Sequence, residues 1–143
     1  MTESITFTIP GVPVGKGRPR FARRGNFVAT YTPEKTASYE NLVKLAAKQA
    51  MNGANPFQSA VSAEIMLRVT PPASWSQKKR TAAFSGEIRP TSKPDIDNCC
   101  KGIFDAMNGI VFLDDKQVVE LCARKEYASQ AEAVVQVRGL SQA

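Results

Sequence analysis

The 143-residue chain contains no histidine. That removes the Ser-His-Asp and Cys-His nucleophile pairs, and zinc sites of the HExxH and Cys2His2 types. Acid–base or metal chemistry must come from Asp, Glu, Lys or Tyr. Cysteine is nearly as scarce: Cys99, Cys100 and Cys122 form no CxxC pair, and their odd number argues against a disulfide framework. They read as small buried residues of a reducing compartment. No apolar run approaches the ~18 residues of a membrane span, and Met1–Pro10 has neither the basic nor the apolar region of a secretion signal. A soluble, cytoplasmic protein is expected. Internal repeats, low-complexity tracts and an aromatic-rich strand of the RNA-binding type are also missing.

A chain of this length suits a single domain over residues 1–143, able to bury roughly 68% of its unfolded surface. With 43% hydrophobic residues it is too apolar for disorder. Its charge is less ordinary, at +6 with a pI near 9.4. Residues 1–94 carry 14 Lys/Arg against 5 Asp/Glu, whereas residues 95–143 carry 5 against 8. The densest basic cluster is Lys16, Arg18, Arg20, Arg23 and Arg24, with no acid between Glu3 and Glu34. A second cluster, Lys78-Lys79-Arg80, follows Trp75, and Arg89 and Lys93 come later. An anion-binding half thus precedes an acid-bearing half, which suggests a polyanionic partner.

Ile5, Phe7 and Ile9 alternate as a strand up to Pro10, and a loop is expected from there to about Asn26. Phe27 to Tyr31 reads as a short strand. Thr32-Pro33-Glu34 opens a helix that Asn52-Gly53 ends. Val61 to Val69 alternates again. A short basic helix is expected from Ser74 to about Phe84, and a full helix from Asp95 to Met107 with Ile96, Cys100, Ile103, Phe104 and Met107 inward. Ile110 to Leu113 reads as extended, and Asp114-Asp115 as a turn. Val118–Tyr127 and Ala133–Arg138 read as a closing antiparallel hairpin. The whole is α+β, a mixed sheet packed by two main helices.

Asp95 and Asp97 stand at the start of the later helix, and Asp97, Lys101 and Asp105 follow one another at i, i+4 and i+8. Acids in a first turn can simply complement the helix dipole, for about 0.3–1 kcal/mol each. If Asp114 and Asp115 converge on them, four carboxylates meet without a histidine. Such a set suits Mg2+, with Mn2+ as a substitute. Inside a basic surface it matches phosphodiester hydrolysis, in which a metal activates water and stabilises the developing oxyanion.

Lys93-Pro94-Asp95-Ile96-Asp97-Asn98, Lys101, Asp105-Ala106, Asn108-Gly109 and Asp114-Asp115-Lys116-Gln117-Val118 resemble the signature of the RusA family of Holliday junction resolvases. Residues 13–20, Tyr31-Thr32-Pro33 and Trp75–Arg80 resemble its phage and prophage branch. The resemblance implies a crossover junction endodeoxyribonuclease of recombination and repair, a homodimer of α+β subunits that cuts four-way DNA with Mg2+. It implies Asp95, Asp97 and Asp115 as metal-binding acids, Asp114 as a further candidate, and Lys101 as the essential lysine. The adjacent Cys99-Cys100 depart from the leucine-rich pattern of relatives and read as packing variants.

Lys16, Arg18, Arg20, Lys78, Lys79, Arg80 and Lys93 are candidate DNA contacts, although a charge run is equally compatible with a solvated face. Trp75 reads as a helix anchor rather than a base-stacking platform, Tyr39 as core, and Asp105 as exposed or salt-bridged. A DNA-binding module with structural carboxylates and no catalysis is the alternative, and an RNA-binding basic protein the third reading.

Overall fold

The computed structural model describes residues 3–16, 20–24, 27–31 and 34–141, with side chains described for residues 3–16 and 36–141. Ser4–Pro10 (β1), Val61–Val69 (β4), Val118–Tyr127 (β5) and Glu132–Gly139 (β6) form a mixed sheet in the order β1-β6-β4-β5. Arg20–Arg24 (β2) and Phe27–Tyr31 (β3) make a separate antiparallel pair. The helices are Glu34–Met51 (α1), Gln77–Phe84 (α2) and Ile96–Met107 (α3). The architecture is α+β.

The alternating residues of β4 and β6 decide the core. Val61, Ala63, Ile65 and Leu67 are buried with Ala133, Val135 and Val137 against Val43 and Ala47 of α1 and Ile103, Ala106 and Met107 of α3. Two adjacent strands that bury one face this completely belong at the sheet centre. The expected β5–β6 hairpin is therefore not formed. β4 lies between them, antiparallel to β6 and parallel to β5. β5, mostly exposed along its length, takes the edge.

Three other expectations are corrected. Residues 20–24 are a strand rather than loop, because β3 supplies a partner that composition could not reveal. Ile96 is exposed, and Cys99, Gly102 and Ala106 join the buried face of α3 instead. Cys122 is also exposed, since it lies on the outward row of the edge strand with Glu120 and Arg124. Tyr39 is core as expected, although its hydroxyl has no hydrogen-bond partner among the described residues. Asn52 and Gly53 end α1 with positive φ, the left-handed geometry of a helix stop.

The carboxylate cleft and the family it marks

Helix α3 begins with Asp95 as N-cap, but the Asp95 side chain makes no capping hydrogen bond. Its Oδ2 accepts a long bond of 3.5 Å from Asn98 Nδ2 instead. Asp97 Oδ1 accepts from the Asn98 backbone N–H at 2.9 Å. Both carboxylates line an open cleft of about 890 Å³ together with Lys101, Asp115 and Lys125.

Asp115 reaches this cleft from a 3-10 turn, Asp115–Gln117, immediately before β5. The turn is well fastened. Asp114 Oδ1 accepts from the Lys116 N–H at 2.9 Å, and the Gln117 side chain accepts from the Asp114 N–H at 2.9 Å. Gln117 Nε2 also donates to the carbonyls of Phe57 and Ser59, at 2.8 and 2.9 Å, tying the turn to the approach to β4. Asp115 Oδ2 accepts from Asn108 Nδ2 at 3.4 Å. Asp114 is thus the cap of the turn, and the cleft lining holds three of the four expected carboxylates.

Asp95, Asp97 and Asp115 form no ion pair among the described residues, and each has one oxygen oriented by a hydrogen bond. Uncompensated hard oxygen donors facing one cleft are a suitable donor set for Mg2+ or Mn2+. Among the described residues, no three acidic side chains lie close enough to grip one ion as they stand.

Lys101 is exposed and, among the described residues, makes no ion pair with Asp97 despite the i, i+4 spacing. Lys16 is held instead. It pairs with Asp105 on α3, its backbone N–H donates to Asn98 O at 3.1 Å, and the carboxylate raises its pKa. Gly15 eases this approach, since a Cβ built there would stand only 3.2 Å from that of Asn98.

The other candidate cations are dispersed. Arg18 and the Arg20 side chain lie outside the described residues. Lys79 Nζ sits 4.1 Å above the Trp75 ring, which meets Tyr127 edge-on at 5.5 Å, so Trp75 anchors α2 against β5. Arg80 donates to Pro72 O at 3.3 Å. Lys78 and Lys93 are exposed. Among the described residues, none of these candidate cations lines the cleft. Lys125, which does, has no motif around it in the sequence and is brought to the cleft by strand pairing.

The family model described as endodeoxyribonuclease RusA matches residues 10–138, most of the chain and all of this cleft. The chain belongs to the RusA family. It is also similar to the uncharacterized protein YqaN of Bacillus subtilis (strain 168), at 36% identity over 141 residues, 97% of this chain and 99% of that protein. Membership of this family supports a nuclease. Among the described residues, no helix is long and apolar enough to cross a membrane.

Proposed function

We propose that this RusA-family chain resolves four-way DNA junctions by paired, symmetric hydrolysis of two phosphodiester bonds, with Mg2+ as cofactor. The observation that supports the reading best is the shared cleft of Asp95, Asp97, Asp115 and Lys101 in a chain of this family. In this reading the three carboxylates hold the metal, and Asp114 secures the turn that presents Asp115. When bound, the metal supplies a nucleophile at neutral pH and charge stabilisation on the phosphate. Lys101, not engaged by Asp97, directs its ammonium at the negative charge that develops on the phosphoryl oxygens.

The working unit is a two-fold homodimer of single-domain subunits acting in the cytoplasm. A junction presents two symmetry-related phosphates, and the described residues of each subunit form one carboxylate cleft, so a closed isologous pair supplies both. The basic half of the chain, through Lys78, Lys93, Arg18 and Arg20 above all, grips the DNA arms.

The test is a gel assay of end-labelled four-way junction and linear duplex, each with Mg2+ or EDTA. Paired nicks at symmetric positions of the junction alone, abolished by EDTA, are expected. Binding without cleavage under all divalent cations would favour the non-catalytic module, and equal cleavage of the duplex would remove the junction specificity.

A further inference from the structure

Lys125 lies on β5, well separated in sequence from the acidic motif, yet its Nζ donates to the carbonyls of Ser92 at 2.6 Å and Pro94 at 2.9 Å. These carbonyls bracket the chain just ahead of Asp95. We infer that Lys125 is a positioning residue for the cleft, holding the start of α3 so that the Asp95 carboxylate is left available to a divalent cation.

Two independent features support this. The first is the uncapped helix. An Asp at an N-cap ordinarily accepts a hydrogen bond from the N–H of the second or third helical residue. Asp95 has cap geometry, with φ −76° and ψ 137°, but makes no such bond. The segment entering α3 is tied down by the Lys125 ammonium from a neighbouring strand instead. The Asp95 side chain is thereby released from capping and lines the cleft.

The second feature is a β-bulge. Val61 pairs with Val118 but Ser62 pairs with Glu120, so Val119 is an extra residue in β5. Side-chain direction alternates along a strand, and one inserted residue reverses it for everything beyond. After the bulge, Leu121, Ala123 and Lys125 fall opposite Ala63, Ile65 and Leu67 of β4, whose side chains are buried against the helices. Without the bulge Lys125 would fall opposite Arg68 on the outward row, and Cys122 and Arg124 would turn inward in its place. The bulge and the missing cap bond converge on the same ammonium.

The inference rests on the nuclease reading for its purpose, but its test does not depend on cleavage. The full-length chain is titrated with Mn2+ alone and followed by water-proton relaxation, in parent, Lys125→Met, Lys125→Gln and Lys125→Arg. Outer contacts that orient metal-binding groups change affinity by about 10–100-fold when removed. Lys125→Met is expected to weaken Mn2+ binding at least tenfold at an unchanged unfolding midpoint. Lys125→Gln, with one amide donor, should fall between, and Lys125→Arg, whose fork can reach two carbonyls, should lie within threefold of the parent. Equal Mn2+ affinity in all four proteins would overturn the inference, as would loss of folding in both Met and Gln variants. If the parent neither binds Mn2+ nor cuts DNA, the nuclease reading fails by itself. Hydrogen exchange at the Asn98 and Cys99 amides then decides: about tenfold faster exchange in Lys125→Met sustains the positioning role, and unchanged exchange removes it.

Discussion

Lys16 and Asp105, 89 residues apart, form an ion pair that clamps the first glycine-bearing loop onto helix α3. Each side chain is 27% exposed, so the pair is partly shielded from solvent screening. Asp105 lies two turns along from Asp97, so the clamp joins the loop after β1 to the helix that carries Asp97. A cation that composition assigns to DNA is committed to the fold.

Breaking that clamp should cost stability more than DNA affinity. Lys16→Met or Asp105→Asn is expected to lower unfolding free energy by about 1 kcal/mol, the upper end for a partly exposed pair. The sign with pH is definite. The carboxylate raises the Lys16 pKa above its ordinary 10.5, so its contribution is complete below that value and lost as pH rises through the raised folded value. Denaturant titrations at pH 7 and pH 11 check both claims, and an equal penalty for Lys16→Met at the two pH values would contradict the pairing.

Asp97→Asn is expected to bind a four-way junction at least as tightly as the parent and to leave it uncut. The carboxylate acts through the metal, whereas its charge opposes the approach of phosphates. Gel-shift titration beside the cleavage assay distinguishes this from a structural role, in which affinity and cleavage would fall together.

For Lys101 the structure sharpens the choice between two magnitudes. An i, i+4 pair with Asp97 would contribute about 0.3–0.5 kcal/mol to the helix, and no such pair is made. Preorganised charge at a developing oxyanion contributes about 2.7–4 kcal/mol. Lys101→Ala should therefore fold and bind the junction normally yet cut at least a hundredfold more slowly at saturating Mg2+. Lys101→Arg should also be impaired, because a planar fork does not replace a compact point charge. Single-turnover rates within threefold of the parent would leave catalysis to the carboxylates.

Salt dependence separates the free cations from the committed one. Every phosphate that a cation no longer neutralises flattens the slope of log K against log salt by about 0.9. Lys78→Ala with Lys93→Ala should flatten it by close to two units, and Lys16→Ala by much less. An unchanged slope in the double variant would place the DNA on another face.

The three cysteines should react in sequence. Burial pushes Cys99 up to about 12 and Cys100 up to about 11, each also raised by nearby acidic groups, whereas Cys122 is exposed. A thiol reagent at pH 8 is expected to label one cysteine quickly and the other two only on unfolding. The unfolded chain loses these protons near pH 9 while the folded chain retains them, so stability falls as pH rises from about 9 toward the folded values. Fast labelling of two or three thiols in the native protein would contradict the burial.

The sequence alone determined most of the local elements and the acidic pattern. Period-two alternation in β1 and β4, the turn residues Asn52-Gly53 and the apolar spacing of α3 are decided within a few residues, where short-range sterics and burial act. The acidic motif with Lys101 and the later Asp115 was equally legible, because residue type and spacing carry it. Tertiary structure decided which strands became neighbours. β4 separates β5 from β6 because its fully buried row needs a partner on each side, and no local pattern counts partners. Long-range contacts also created the bulge at Val119 that turns Lys125 inward, brought Lys16 to Asp105, and, through Gln117 and the carbonyls of Phe57 and Ser59, fastened the turn that presents Asp115 to the cleft. Each depends on contacts across tens of residues, which periodicity and composition do not encode.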